Sequence, residues 1–167
     1  AGGATKYNRK GEPVPTFPNA RHWVQQAAWN DATSPNERTR ASYFKDDFLP
    51  LHKYGLIERI EGNGSIIPGV TLELTGGHTS GHQIIIINQA GVRVGFLGDL
   101  VPTPYHLGLP YITALDQYPE ETLEQKRTLL TRASQEGWLL TFVHGHENKA
   151  GYIEGIARGI SLRPFEI

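Results

Sequence analysis

The pattern of apolar and polar positions predicts a chain dominated by short strands. Apolar and polar residues alternate over 56–61 (LIERIE) and 70–74 (VTLEL), which is typical of strands with one buried face. The run 83–88 (QIIIIN) is continuously apolar and β-branched, and it predicts a strand buried on both faces. Two further strands are predicted over 92–97 (VRVGFL) and 138–143 (WLLTFV).

Turn signals and one amphipathic segment complete the second half of the chain. Asn63-Gly64 and Pro68-Gly69 are turn dipeptides, so residues 65–67 are expected to pair back on the strand before them. Residues 119–137 predict a helix, because a proline and two glutamates open the segment and a glycine ends it. Strands with helices between the later ones predict a mixed α/β (α+β) fold.

The first half of the chain has weaker patterns. Residues 1–19 are rich in Gly, Pro and polar groups and predict irregular structure. Residues 19–26 (NARHWVQQ) predict a strand that runs into a helix, and residues 37–43 predict a short helix. A loop is expected through Leu49-Pro50.

Composition narrows the class of protein. With 167 residues and 18.5 kDa, residues 1–167 are expected to form a single domain. A net charge of -1 without a basic stripe argues against a nucleic-acid partner, and no apolar stretch is long enough to span a membrane. We therefore expect a cytoplasmic protein. Because cysteine is absent, any metal ion must be held by His, Asp or Glu.

Polar residues with metal-binding chemistry follow three of the predicted strands. His78 and His82 follow the strand that ends at Leu74, Asp99 follows the strand that ends at Leu97, and His144 follows the strand that ends at Val143. Imidazoles and carboxylates are the ligands that zinc and similar divalent ions take when no thiolate is present. A carboxylate between two ions can bridge them, and a water held there loses much of its proton affinity.

Two interpretations of the stretch LTGGHTSGHQIIII remain open at this point: a metal site, or a turn that happens to contain histidine. The spacing of His78 and His82 matches the helical zinc motif H-E-x-x-H, but Ser80 and Gly81 are poor residues for a helix interior. The segment therefore predicts a glycine-rich loop that enters a strand, in which one histidine rather than both binds metal.

The same stretch also carries a family resemblance. Residues 75–82 (TGGHTSGH) closely resemble the T-P-G-H-T-x-G-H motif of metallo-β-lactamase-fold hydrolases, and 96–99 (FLGD) resemble the strand that ends in that superfamily's bridging aspartate. Residues 100–109 (LVPTPYHLGL), the helical segment 121–130 and 142–144 (FVH) resemble its lactonase-like subgroup, which is akin to quorum-quenching N-acyl-homoserine lactonases.

The diagnostic motif of that superfamily, H-x-H-x-D-H, does not occur in the sequence. In the family it is often followed by Ala-Gly-Gly, and this chain begins Ala1-Gly2-Gly3. The resemblance therefore implies the C-terminal part of an αββα sandwich whose N-terminal portion lies before residue 1. It also implies partners: a small-molecule ester or lactone, and either the N-terminal portion or a second copy in a homodimer.

The resemblance implies a role for each candidate residue. His78 would bind the first of two divalent ions, most simply zinc, Asp99 would bridge both ions, and His144 would bind the second. His82 would support the site without binding metal. His146 is an alternative to His144, because GHE resembles the form found in glyoxalase II-like members.

The implied activity is hydrolysis of ester or lactone substrates at a dinuclear zinc-type site, with Asp99 handling a proton and Tyr105 and His106 contacting the substrate or protonating the leaving group. The isolated chain is expected to bind metal weakly and to be inactive, since each ion would keep only two of the three or four ligands that zinc requires. The alternatives are a catalytically silent binding module, and a thioesterase or phosphodiesterase on the same fold.

Overall fold

The chain folds into two compact units, Ala1–Glu61 and Gly62–Ile167. The structure is a computed structural model that describes residues 2–155 and 159–166. Within those two ranges, no helix is both long enough and apolar enough to cross a membrane. The expectation of a single domain over residues 1–167 stays a prediction.

The first unit contains two small sheets. Strands β1 (Thr5–Tyr7) and β2 (Pro13–Pro15) pair antiparallel, whereas β3 (His22–Gln25) and β4 (Ile57–Ile60) pair parallel. Helix α1 (Gln26–Thr33) follows β3 directly, as the pattern of residues 19–26 predicted. Helix α1 ends before Ser34-Pro35, where the residue preceding a proline is biased away from helix.

Three predictions for this unit were wrong. Residues 1–19 are not irregular throughout, because Asn8 Oδ1 accepts the backbone N–H of Lys10 at 2.8 Å in the turn that lets β1 and β2 pair. Residues 37–43 contain only a single 3-10 turn, Arg40–Ser42, since so short a polar segment gains too little to nucleate a helix. Leu49-Pro50 opens helix α2 (Leu49–Lys53) instead of a loop, because proline is preorganised for a first helical turn.

The second unit is built on one seven-stranded sheet. Its strands lie side by side in chain order: β5 (Gly64–Ile67), β6 (Val70–Leu74), β7 (Gln83–Gln89), β8 (Val92–Phe96), β9 (Leu139–Thr141), β10 (Ala150–Glu154) and β11 (Ser161–Pro164). All neighbours are antiparallel except β8 and β9. Residues 65–67 therefore pair with β6 and not with the strand before them, because β4 is the parallel partner of β3.

Helix α3 (Pro119–Gln135) lies in the connection between β8 and β9, where a parallel pair needs a crossover. Its buried face packs against the sheet in one apolar core that contains Ile84, Ile86, Leu129, Leu130, Ala133, Trp138 and Leu140, among others. Burial of these apolar side chains holds the helix on the sheet, because each Å² of apolar surface removed from water contributes about 25 cal/mol.

The strand β7 corrects one prediction about this core. Ile84 and Ile86 are buried under α3, but Ile87 on the opposite face is 38% exposed. The isoleucine run is therefore buried on one face and only partly covered on the other, because strand side chains alternate between the two faces whatever their polarity.

Candidate metal centre

The sheet topology brings the candidate residues to one edge. Strands β6, β8 and β9 run in the same direction, since β7 is antiparallel to both β6 and β8 while β9 is parallel to β8. The residues that follow these strands, His78, Asp99 and His144, therefore emerge at the same edge. The Nε2 atom of His78 lies 3.5 Å from Oδ2 of Asp99, and the Nε2 atom of His144 lies 3.1 Å from Oδ1. Each oxygen of one carboxylate thus faces one imidazole.

Two glycines fit the His78 loop against the start of helix α3. Gly77 has φ +74°, and a Cβ there would lie 2.5 Å from Oγ1 and 2.9 Å from Cα of Thr122. Its N–H donates to Oε2 of Glu121 at 3.0 Å, and its carbonyl accepts the N–H of Tyr118 at 2.9 Å. A Cβ on Gly76 would likewise meet the Glu121 carboxylate at 2.4 Å. Only glycine allows this close approach, so the Gly-Gly pair sets where His78 lies.

A buried aspartate orients the His78 ring. The Nδ1 atom of His78 lies 2.9 Å from Oδ1 of Asp116, which also accepts the hydroxyl of Thr113 at 2.5 Å. Burial alone would raise the pKa of the Asp116 carboxyl, but the hydrogen bonds from Thr113 and His78 hold that pKa below its usual value. An ionised carboxylate only accepts, so the ring donates to Asp116 through Nδ1, and Nε2 is the nitrogen that faces Asp99. A histidine paired in this way is typical of metal sites.

His82 supports the site from the base of β7. The backbone N–H of Asp99 donates to its Nε2 at 3.0 Å, and its Nδ1 lies 2.6 Å from Oγ1 of Thr75. Burial, followed by the nearby His78, lowers the pKa of His82 to about 4, so the ring is neutral. Because the Nε2 lone pair already accepts the Asp99 N–H, His82 holds the loop that carries Asp99 and is not directed at a metal ion. Gly98 (φ +54°) leaves room for this ring, since a Cβ would lie 2.7 Å from Nε2.

His144 lies in an exposed turn between β9 and β10. Its backbone N–H donates to the carbonyl oxygen of Pro102 at 2.9 Å, which joins this turn to the segment that follows Asp99. The turn is closed by the N–H of Phe142, which donates to the carbonyl of Lys149 at 2.9 Å. The sequence did not decide between His144 and His146 as the candidate ligand. The ring of His144 faces Asp99, whereas His146 is exposed in the same turn.

The donor atoms fit zinc in kind and spacing but not in number. With bonds of about 2.1 Å, a nitrogen–oxygen edge of a tetrahedral zinc site is about 3.4 Å long. The two imidazole–carboxylate distances, 3.5 and 3.1 Å, match that edge. Yet in the part of the chain that the structure describes, no group of three or more His, Asp or Glu side chains could hold a metal ion. Each half of this centre therefore offers two ligands to an ion that requires three or four.

Tyr105 and His106 lie beyond Asp99 on the 3-10 turn Pro104–His106. The Tyr105 ring is exposed, whereas His106 is partly buried and its Nδ1 lies 2.7 Å from Oγ1 of Thr103. Burial and then the nearby ammonium of Lys126 lower the pKa of His106, and Asp116 opposes this shift. Both side chains line an open cavity of about 540 Å³ with Pro110, Tyr111 and Ile112. Their catalytic roles stay predictions.

Sequence reasoning missed Asp116 and Thr75, which hold the two histidines of the loop. Asp116 lies 38 residues from His78 along the chain, so no short motif connects them. The only local signal is the spacing of Thr113 and Asp116, which hydrogen bond to each other just before helix α3. Such a pair is common in ordinary turns and does not by itself indicate a site.

One protein family has a sequence profile that matches most of the chain. The sequence profile described as "Metallo-beta-lactamase superfamily" matches residues 14–147. No curated protein matches the chain. The α/β fold class expected from the sequence is confirmed by this match and by the structure.

Solved structures agree with that family. A probable metal-dependent hydrolase from Staphylococcus aureus is 27% identical, with a TM-score of 0.82, and the match covers 96% of this chain and 58% of that one. An N-acyl homoserine lactone hydrolase with N-hexanoyl-L-homoserine bound at its catalytic metal centre is also 27% identical, with a TM-score of 0.63 and coverage of 78% and 49%. The chain thus spans about half to three-fifths of the length of these relatives.

A third structure shows the shared fold alone. The dizinc quorum-quenching lactonase AidC, in complex with a product, is 14% identical to this chain, with a TM-score of 0.75 and coverage of 96% and 59%. At that identity, its two zinc ions and its product describe AidC and not this chain.

Proposed function

The chain belongs to the metallo-beta-lactamase superfamily, and from that premise we propose that it carries one side of a dinuclear, zinc-type site for hydrolysing esters or lactones. The observation that supports this most directly is the Asp99 carboxylate, whose two oxygens each face the Nε2 atom of a different imidazole. A carboxylate placed in this way can bridge two ions, with one histidine on each.

The proposed roles follow from the contacts of each side chain. His78 presents the lone pair of Nε2 because Asp116 holds the proton on Nδ1. His82 fixes the backbone of Asp99, and Pro102 fixes the backbone of His144. Two divalent ions, when bound, supply a water of lowered pKa and polarise the carbonyl of the substrate. Asp99 would also take up the proton that the attacking water loses, and Tyr105 and His106 would contact the substrate or protonate its leaving group.

The remaining ligands must come from outside the residues that the structure describes, because the centre offers two per ion. We propose that they belong to a further part of the same protein. Four apolar side chains that share one face of the second unit's sheet are exposed, although Leu72 on the same face is buried: Leu74, Ile87, Val92 and Phe96. Exposed apolar side chains of this kind suit association with that further part, or with a second copy in a homodimer. A cytoplasmic location also stays a prediction.

The central test is Asp99→Asn in the full-length protein. Asparagine keeps the size of the side chain but removes the charge that would bridge two cations, so we expect hydrolysis of a lactone to fall at least about tenfold. Zinc bound per chain should fall as well, while circular dichroism stays unchanged. Asp46→Asn, which removes an exposed carboxylate from the other unit, is the matched control and should change neither value.

The same assay separates the alternatives. A thioester and a phosphodiester are offered beside the lactone, and faster turnover of either would replace the proposed substrate class. A wild-type protein that binds no zinc and hydrolyses none of the three would be a silent binding module. Unchanged lactone turnover in the Asp99 variant would remove the proposed role of this carboxylate.

A further inference from the structure

Helix α3 carries a fully buried lysine, Lys126, whose exposed fraction is 0%. Its Nζ donates to the carbonyl oxygens of Gly108 and Tyr111, both at 2.8 Å, and lies 3.4 Å from that of Leu109. Burying an ammonium is costly unless its donors are satisfied, and backbone carbonyls satisfy them here. The lysine therefore fixes the backbone of residues 108–111 on the helix.

The anchored segment leads directly into the turn that carries Asp116. The hydroxyl of Thr113 donates to Oδ1 of Asp116 at 2.5 Å, and the backbone N–H of Asp116 donates to the carbonyl of Thr113 at 3.2 Å. Just beyond this turn, the N–H of Gln117 donates to the carbonyl oxygen of His78 at 3.1 Å. Residues 108–118 are thus fixed at one end by the lysine and at the other by the His78 loop, with Asp116 between the two.

The same face of helix α3 supports both ends of this segment. Thr122 and Lys126 are four residues apart and are 1% and 0% exposed, which places them one turn apart on one buried face. Thr122 packs against Gly77 in the His78 loop, since a Cβ on that glycine would lie 2.9 Å from the Cα of Thr122. One rigid helix therefore holds the His78 loop and, through Lys126, the segment that carries Asp116.

The charges of Lys126 and Asp116 also act on each other. Burial lowers the pKa of Lys126 to about 8, and the negative charge of Asp116 opposes that shift. Because the attraction between two charges acts on both, the ammonium stabilises the Asp116 carboxylate in turn. The lysine thus acts on Asp116 in two ways, through the backbone that it anchors and through its charge.

From these contacts we infer that Lys126 is a positioning residue for the candidate metal centre, which holds the Asp116 carboxylate against Nδ1 of His78 and so keeps Nε2 turned toward Asp99. An imidazole that is hydrogen bonded in this way is a better metal ligand than a free one. Lys126 would touch neither the ion nor the substrate. Only the consequence for metal affinity rests on the proposed function, because the state of the His78 ring can be measured without metal.

The first experiment uses the full-length protein without metal. Long-range ¹H–¹⁵N correlations at pH 7 show which ring nitrogen of His78 carries a proton. In the wild type we expect Nδ1 to be protonated, because it donates to Asp116. In Lys126→Met we expect a mixture of Nδ1 and Nε2 forms, since methionine keeps the apolar stem but neither anchors the segment nor attracts the carboxylate.

A second histidine separates positioning from a general loss of structure. The ring of His82 is held by the N–H of Asp99, so its signals should not change in Lys126→Met, whereas a general loosening would change both rings. Arg127→Met removes an exposed cation from the neighbouring position of the same helix and should keep the wild-type signals. A His78 ring that is unchanged in Lys126→Met would overturn the inference.

The second experiment is a double-mutant cycle on zinc affinity, measured in the full-length protein by competition with a chromophoric chelator. Lys126→Met should weaken zinc binding about fivefold in the wild type, but less than about twofold in the Asp116→Ala background, where the residue through which the lysine acts is missing. Equal losses in the two backgrounds would overturn the inference. A selective change of the His78 ring in a protein that binds no zinc would overturn the proposed function and leave the positioning role standing.

A third measurement keeps the test decisive if Lys126→Met does not fold. In Asp116→Asn, the ¹³Cε signal of Lys126 should titrate at a lower pH than in the wild type, because the charge that opposes the effect of burial on its pKa is lost. Glu124→Gln removes an exposed carboxylate from the same helix and should leave that titration unchanged. An unchanged pKa of Lys126 in Asp116→Asn would show that the two groups do not act on each other, and the inference would fail.

Discussion

His78 and His144 face the two oxygens of the same carboxylate, but their surroundings differ. The His78 side chain is 19% exposed, its ring is held by buried Asp116, and its loop packs through Gly77 onto helix α3. The His144 side chain is 64% exposed and lies in a turn that one backbone hydrogen bond ties to Pro102. Buried contacts within this chain therefore fix the His78 half of the centre, whereas the His144 half is exposed and can adjust its position. Matched substitutions in the two regions test this contrast.

The largest difference in stability is expected between two glycine substitutions. Gly77→Ala would place a Cβ against Thr122 at φ +74°, so the free energy of unfolding should fall by about 3 kcal/mol from strain and overpacking together. In Gly145→Ala the new Cβ would lie 2.5 Å from the carbonyl oxygen of Asn148 and 3.2 Å from Cα of Lys149, but the φ of Gly145 is not left-handed and the exposed turn can shift, so the fall should be about 1 kcal/mol. Urea unfolding of both variants measures the two values. Equal losses would show that the two regions are equally rigid.

A smaller effect is expected when the partner of His78 is changed. In the full-length protein, Asp116→Ala should weaken zinc binding by up to about a hundredfold, because the His78 ring loses the acceptor that fixes its tautomer. Asp116→Asn keeps an acceptor oxygen and should cost only about tenfold. Competition with a chromophoric chelator gives both affinities, and Glu124→Gln on the exposed side of α3 serves as the control. Zinc binding unchanged in Asp116→Ala would mean that the ring needs no such support.

The smallest effect on the fold is expected at the exposed turn. His144→Ala and His146→Ala should each change the free energy of unfolding by less than about 0.5 kcal/mol, since both side chains are exposed. The two variants should differ in metal content, because only the ring of His144 faces Asp99. Elemental analysis of the full-length protein is expected to show loss of one zinc per chain in His144→Ala and none in His146→Ala. The opposite pattern would assign the ligand to His146.

The elements that were predicted well are those with strong local signals. Strands β6, β7 and β8 and helix α3 have regular apolar periods, bounded by Gly and Pro, and they occur where the sequence indicates. The first unit was predicted less well, because its short strands β1 and β2 owe their structure to pairing and not to periodicity. Strands β10 and β11 carry no strong alternating pattern and were not predicted for the same reason.

The sequence by itself determined the chemistry of this protein: imidazoles and a carboxylate after three strands, a glycine pair before His78, and a fold class set by alternating apolar positions. Tertiary structure decided which of these groups meet. The common direction of β6, β8 and β9 brings His78, Asp99 and His144 together, and the fold alone sets Asp116 against the His78 ring and Nζ of Lys126 against the carbonyl of Gly108. The local pattern of apolar residues predicts which face of a strand or helix is buried. Contacts between distant residues depend on the order of the strands and on the crossover connection, and neither can be read from a local pattern.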